Sequence, residues 1–281
     1  MKLQRQGALM AAPAAAVLAG VAVLPVFAAA WLSLHRSIVI FHEQRFIGLA
    51  NFRFLVQDAR FWSAVGHTAY FTAVAIAVEL LLGLPVALLL HRGRGLLRAA
   101  VLLPWAIPTA VSARMWAWLF NADYGLLHRL APGVDWLGSP STALHAAILV
   151  DVWKTTPFVA LILLAGLQSL PPEPFEAARI DAASAWRTFR YITLPMLRPV
   201  MVVCIVIRAI DAFRTFDIVW TISGGGPARA TELFSLYAYV ESFQFLNLGR
   251  GSAAAVIGAV IIVIFALLLY RLLNRFVEVS K

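Results

Sequence analysis

Residues 176–195 read EAARIDAASAWRTFRYITLP, a mixed-charge segment with long apolar runs on both sides of it. Together with Arg198 just beyond it, the segment carries two acidic and four basic residues, whereas only 13% of the whole chain is charged. Its many alanines favour a helix. A charged helix between two apolar runs needs a role of its own, and the rest of the chain indicates where it lies.

The composition of the 281-residue chain indicates a membrane protein. Hydrophobic residues make up 62% of it, against about 45–50% in soluble domains, so lipid is the expected solvent. The formal net charge of +9 comes without any nucleic-acid-binding signature, and no nucleic-acid partner is expected. The single cysteine and six scattered histidines predict neither a disulfide nor a metal site.

Six apolar runs are long enough to cross a bilayer as helices, which takes about 20 residues. The first run is too long for the apolar region of a signal peptide and is expected to be a span. We therefore predict an all-α integral membrane protein with one transmembrane domain over residues 1–281. The predicted spans are 10–34, 64–90, 99–120, 143–167, 197–222 and 252–273.

Lysine and arginine indicate the orientation, because they are enriched in cytoplasmic loops. Of the 23 such residues, twelve lie at the termini and after spans two and four, if Arg198 and Arg271 at the very ends of spans five and six are counted with them. Seven lie in the other loops, and four lie deeper within spans. Both termini are therefore predicted to be cytoplasmic. Residues 169–196 then form the longest cytoplasmic loop, between spans four and five.

Local signals predict a helix early in this loop. Ser169 is the expected N-cap, prolines that suit a first turn follow it, and Glu173 and Glu176 complement the positive end of the helix dipole. Two interpretations are open at this point. The helix could rest on lipid headgroups, or its small alanine face could dock against a cytosolic partner.

The segment resembles the EAA loop of the membrane subunits of binding-protein-dependent ABC importers. That family's pattern is Glu-Ala-Ala, three residues, Gly, nine residues, Ile, any residue, Leu-Pro. This chain has Glu176-Ala177-Ala178, Ala182, Ile192 and Leu194-Pro195 at that spacing. DVWKTTPF (151–158), AGLQSLP (165–171) and DAFRTFDIVWTISGGGP (211–227) resemble the carbohydrate branch, which includes maltose- and trehalose-type permeases. The likeness covers nearly the whole chain.

The resemblance implies a cell-membrane permease subunit whose loop helix couples the spans to a cytosolic ATPase. The implied partners are a second homologous permease, two copies of the ATPase, an extracytoplasmic sugar-binding protein and membrane lipid. No catalytic residue or bound cofactor is expected, because GxxxxGK[ST] is absent from the sequence and ATP and Mg²⁺ belong to the ATPase. The implied ATPase-coupling residues are Glu176, Ala177, Ala178, Asp181 and Ala182.

Ala182 departs from the family pattern, which has glycine at this position. Glycine is needed where φ is positive or where backbones approach closely. Within a helix, alanine is favoured over glycine by up to about 1 kcal/mol. We therefore predict a helical backbone with negative φ at Ala182.

Ionisable residues inside spans are costly and are candidates for function. Polar side chains can hydrogen-bond to sugar hydroxyls, and aromatic rings can stack on sugar faces. Seven residues of the fifth predicted span are therefore candidates for lining a translocation path. The alternative is that the charges pair among themselves or with a second subunit, while the rings pack as core. The candidates are Arg208, Asp211, Phe213, Arg214, Phe216, Asp217 and Trp220.

Charges in other predicted spans are expected to be neutralised. Asp151 and Lys154 are three residues apart and can pair with each other. Glu79 and Arg114 have no local partner, so partners in other helices are expected.

Taken together, the sequence predicts a permease subunit that forms half of the path for a disaccharide or oligosaccharide in an ATP-driven importer. The alternative is a gradient-driven secondary transporter that uses Glu79, Asp151 and Asp211 as ion sites. A membrane enzyme would need a convergent nucleophile and base, which the sequence lacks. A passive channel would have no use for a docking helix.

Overall fold

The computed structural model describes residues 10–14, 16–93 and 95–278, and most of them are helical. Single turns of π-helix occur at Ala19–Val23, Phe189–Thr193 and Val240–Gln244, and the strands are β1 His35–Ile38 and β2 Glu43–Phe46. The α-helices are α1 Leu24–Ser33, α2 Ala50–Gln57, α3 Ala59–Arg92, α4 Gly95–Ala106, α5 Thr109–Leu119, α6 Leu126–Leu130, α7 Pro140–Gln168, α8 Glu173–Ile180, α9 Ala185–Thr188, α10 Leu194–Phe213, α11 Asp217–Ile222, α12 Phe234–Tyr239 and α13 Leu248–Glu278.

Long apolar helices account for most of the described chain. Five are long and apolar enough to cross a membrane, and the pair α4 and α5 makes a sixth if it is counted as one span. The five are Met10–Ser33, Ala59–His91, Pro140–Gln168, Ala185–Phe213 and Leu248–Leu268.

Two of the predicted spans are interrupted in the structure. The predicted span 99–120 is bent by 84° between α4 and α5. Ile107 precedes Pro108, which disfavours helical geometry at Ile107 and removes a backbone donor. The predicted span 197–222 also breaks, because α10 ends at Phe213 and α11 starts only at Asp217.

Lys154 of α7 stabilises the bend between α4 and α5. Its ammonium donates to the carbonyl of Trp105 at 3.3 Å and to the carbonyl of Ile107. These carbonyls lie at the end of α4, where helical acceptors lose their partners. The expectation that Lys154 pairs with Asp151 is therefore wrong, because the Asp151 carboxylate is bound by Arg208 at 2.8 Å instead.

The described residues group into two compact units. One comprises the described chain up to Trp62 together with Tyr237–Ile261, and the other comprises Ser63–Leu236 together with the described chain from Ile262.

The first unit contains a β-hairpin that the all-α prediction overlooked. β1 and β2 pair antiparallel, with His35 opposite Phe46 and Ile38 opposite Glu43. The Asn51 side chain donates to the carbonyls of Ser33 and His35 at 2.8 and 2.9 Å. These strands have only four residues each, which is too short for a clear alternating pattern in the sequence.

Two half-buried polar pairs join distant segments of the first unit. The Tyr237 hydroxyl donates to an Asp58 oxygen at 2.7 Å, and Arg60 pairs with Glu241 at 2.9 Å. Burial, with the hydrogen bond to Asp58 as a further cause, raises the pKa of Tyr237 above its ordinary value. The phenol therefore stays protonated and remains a donor to Asp58.

In the second unit, α3, α7 and α10 share an apolar core. Leu90, Leu163, Leu197 and Cys204 are all within 1% of full burial. Gly166 lets α7 approach α10, because a Cβ there would lie 2.8 Å from a Val200 methyl. Small residues at helix contacts are typical of membrane helices, where close packing replaces a hydrophobic driving force.

Candidate coupling segment and buried charge cluster

The α8 helix presents a stripe of exposed side chains, and Arg179 beside it is exposed as well. Glu173, Glu176, Ala177 and Ile180 are exposed and follow the i, i+3, i+4, i+7 spacing of a single helix face. Ile180 is 86% exposed, whereas Ala178 is 7% exposed and turned away from the stripe. The stripe thus combines two carboxylates, a small residue and an unpartnered apolar side chain.

The prediction of a negative φ at Ala182 is wrong, because its φ is +49°. Asp181 is the C-cap of α8, and the amide of Ala183 donates to the carbonyl of Ala178 at 2.9 Å. The amide of Ala182 donates to the carbonyl of Arg179 at 3.2 Å. These two bonds form a Schellman motif, in which the residue after the C-cap is left-handed and is usually glycine.

Ser169 ends a helix, and its prediction as an N-cap is also wrong. It is the C-cap of α7, and its hydroxyl donates to the Gly166 carbonyl at 2.8 Å. The N-cap of α8 is Pro172. A second cap follows at Ser184, whose hydroxyl accepts from the amide of Arg187 at 3.3 Å. From Ala185 the chain stays helical to Phe213.

The five predicted coupling residues fall in three structural positions. Glu176 and Ala177 lie on the exposed stripe, and Asp181 and Ala182 form the exposed turn after it. Ala178 is buried and accepts the bond that closes the turn. Ile180 was not predicted, although its spacing of four residues from Glu176 was a signal in the sequence.

A buried charge cluster joins three of the long helices. The Arg208 guanidinium of α10 donates to both carboxylate oxygens of Glu79 on α3, at 2.7 and 2.8 Å, and to Asp151 on α7 at 2.8 Å. The Thr155 hydroxyl donates to Glu79 at 2.6 Å. Arg208, Glu79 and Asp151 are at most 3% exposed. A charge-assisted network of this kind strengthens every bond it contains.

Asp211 is the exposed member of the cluster. Arg208 also donates to Asp211, whose side chain is 69% exposed. The bonds from Arg208 on α10 give Glu79 on α3 a partner in another helix, as expected. Arg114 is exposed and pairs with no acid among the residues that the structure describes.

The remaining path candidates separate at the break after α10. Phe213 packs against Phe234, with ring centroids 5.3 Å apart. Phe216 instead stacks on Trp220 of α11 at 5.9 Å, with an interplanar angle of 14°. Arg214 lies in the break and Asp217 opens α11, and both side chains are exposed.

Comparison with known proteins identifies the family of the chain. Residues 79–279 match the family described as the binding-protein-dependent transport system inner membrane component. The chain is 42% identical, over 96% of its length and 94% of the relative's, to the trehalose/maltose transport system permease protein MalF of Thermococcus litoralis. It is 38% identical, over 94% and 88%, to the trehalose transport system permease protein SugA of Mycobacterium tuberculosis.

A solved structure shows the same fold. A chain of a bacterial ABC transporter involved in the import of the acidic polysaccharide alginate superposes with a TM-score of 0.83 at 21% identity, covering 98% of this chain and 97% of that one. The protein is thus a multi-pass membrane protein that belongs to the family of inner membrane components of binding-protein-dependent transport systems.

Proposed function

We propose that the chain is the permease subunit of an ATP-driven importer for a disaccharide or oligosaccharide and forms half of its translocation path. The permease relatives named for trehalose and maltose support this substrate class. Residues 1–281 act as one permease domain with six spans, counting α4 and α5 together, and with both termini in the cytoplasm. Its partners are a second permease, two ATPase copies and an extracytoplasmic sugar-binding protein.

The exposed stripe of α8 carries this proposal. An apolar side chain that is 86% exposed at Ile180, one turn from Glu176, favours a protein partner on this face. Glu176 pairs with a basic residue of the ATPase, and Ile180 fills an apolar pocket there. Asp181 and Ala182 fix the angle at which the chain leaves the partner, and Ala178 anchors the turn from inside.

ATP and Mg²⁺ are bound by the ATPase in this proposal, and the permease performs no covalent chemistry. When the two ATPase copies close on ATP, α8 moves with them. The motion reaches the spans through Ala185–Phe213, which is helical throughout and contains Arg208.

Exposed charges near the break after α10 support the proposed path. Asp211, Arg214 and Asp217 are all exposed. Charged side chains in spans avoid lipid and face water-filled cavities or protein partners. These three residues, with the stacked rings of Phe216 and Trp220, therefore line the proposed path. Arg208 does not line the path but holds Asp211 in place from the buried cluster. Phe213 packs against Phe234 and is not part of the path lining.

The competing secondary transporter would need Glu79 and Asp151 to be accessible to ions. Both are instead buried and bound to Arg208. This arrangement favours a structural role for Glu79 and Asp151. Of the three acids that the secondary transporter would use, Asp211 alone is exposed.

The test is to purify the tagged chain gently from its native membrane and to identify the co-purifying proteins by mass spectrometry. We expect a cytosolic ATPase and a second permease, with the ATPase lost in Glu176→Lys and retained in Glu173→Gln. Sugar uptake should stop when ATP is depleted and continue when the ion gradient is collapsed. Recovery of the chain alone, with uptake that follows the gradient, would overturn the proposal.

A further inference from the structure

A large groove lies between α8 and the ends of α3 and α7, in the second unit. Its volume is about 1270 Å³, which exceeds the roughly 300–1,000 Å³ of a pocket for a drug-sized ligand. Its walls are mainly apolar side chains. We call it the interfacial groove and define it by Leu88, Leu89, His91, Leu170, Phe175 and Arg179.

The ionisable side chains that line the interfacial groove are all basic. Arg179 and His91 line it, and none of its lining residues carries a carboxylate. Glu173 and Glu176 lie on the exposed stripe of α8 instead. Arg98 reaches the same region, because its guanidinium donates to the Leu90 carbonyl at the end of α3. Apolar walls with basic groups beside them match a ligand that has an anionic head and apolar chains.

The surroundings of the groove are those of a membrane interface. The groove lies at the C-terminal ends of two membrane-crossing helices, α3 and α7. Leu89 is 68% exposed, and the neighbouring Trp186 and Tyr191 are 70% and 72% exposed. Tryptophan and tyrosine are enriched where headgroups meet hydrocarbon. In the proposed membrane placement, these exposed side chains extend the apolar wall into the bilayer.

We propose that the interfacial groove binds an anionic phospholipid, with the headgroup at Arg179 and His91 and an acyl chain along Leu88, Leu89 and Phe175. The inference rests on the proposed membrane placement of the ends of α3 and α7, and it does not require ATPase docking. Its consequence is that the membrane-facing side of α8 packs on lipid, while the exposed stripe is left for the ATPase.

Native mass spectrometry of the purified full-length chain tests this proposal. The chain is incubated with mixed micelles that contain equal amounts of phosphatidylglycerol and phosphatidylcholine, and the lipids retained are counted. We expect preferential retention of phosphatidylglycerol. Arg179→Gln should reduce the preference for phosphatidylglycerol over phosphatidylcholine roughly fivefold, which is the contribution of one basic residue to binding at an anionic surface. Arg271→Gln, which removes an exposed arginine of α13, should not reduce it.

A second pair of variants tests the groove itself. Leu89→Trp should fill the groove and reduce retention of both lipids, whereas Leu81→Trp should not. Leu81 is a matched control, since it lies on the same helix, is 72% exposed and does not line the groove. Equal retention of the two lipids by the wild type would overturn the proposal. Unchanged retention of both lipids by Leu89→Trp would overturn it as well.

Discussion

Replacement of Arg208 by methionine tests whether the buried charge cluster holds α3, α7 and α10 together. Arg208 makes three hydrogen bonds of 2.7–2.8 Å to Glu79 and Asp151, and a further one to Asp211. Methionine removes all of these donors and leaves two buried carboxylates without their cation. Breaking one buried ion pair costs about 3–5 kcal/mol, which is a large part of a typical stability of roughly 5–15 kcal/mol.

Two further variants separate charge burial from packing. Asp211→Asn changes an acid that contacts the same guanidinium, but its side chain is 69% exposed, so the expected cost is about 0–1 kcal/mol. Combining Arg208→Met with Glu79→Gln and Asp151→Asn removes the buried charges together. Such neutral replacements of buried networks are often tolerated, so this triple variant should recover most of the lost stability.

The assay is thermal unfolding of the purified full chain in detergent, followed by size-exclusion chromatography with fluorescence detection. We expect the order of stability to be wild type, Asp211→Asn, the triple variant and then Arg208→Met. Equal stability of Arg208→Met and Asp211→Asn would refute the reasoning. So would a triple variant no more stable than Arg208→Met alone.

Three other substitutions test separate parts of the account. Ala182→Gly should stabilise the turn by about 1–2 kcal/mol, because glycine adopts the left-handed conformation without strain; the greater entropy of glycine in the unfolded chain offsets roughly 0.4–1 kcal/mol of this gain. Hydrogen exchange at the Ala183 amide should therefore slow severalfold. Faster exchange would mean that the turn is not left-handed. Lys154→Met strips the donor from two carbonyls at the end of α4 and should lower the free energy of unfolding by about 1–3 kcal/mol, with partial rescue by Lys154→Arg, whereas an unchanged melting temperature would count against this role. Asp211→Asn should lower sugar uptake without reducing the amount of ATPase that co-purifies, and normal uptake would exclude Asp211 from the path.

Features carried by long or local sequence patterns were predictable. Runs of about 20 apolar residues identify membrane-crossing helices whatever their packing. Glu173 and Glu176 near a cluster of prolines predicted the start of α8 within a few residues. The family pattern then predicted which loop helix docks on a partner.

Features that depend on tertiary contacts were not predictable in the same way. Arg208 and Glu79 are 129 residues apart, and nothing local to either residue indicates the other. Lys154 was assigned to Asp151 because that acid is close in sequence, yet the carbonyls at the end of α4 are closer in space.

Local competition explains the remaining errors. At Ala182 the helix propensity of alanine argued for a continuing helix, but the bonds of the Schellman motif favour the turn. The break at Pro108 lies in a run whose composition suits an uninterrupted span. Proline is tolerated in many membrane helices, so its presence alone does not distinguish a kink from a break.

Site-specific cross-linking tests the central claim, that the exposed stripe of α8 docks on a cytosolic ATPase. Cysteine is introduced at Ile180, which is 86% exposed, or at Ala178, which is 7% exposed and serves as the control on the same helix. The native Cys204 is fully buried and contributes no background reaction. A short thiol-reactive cross-linker should join residue 180 to the ATPase in native membranes and leave residue 178 unlinked. No ATPase adduct from residue 180, or equal adducts from both positions, would contradict the account.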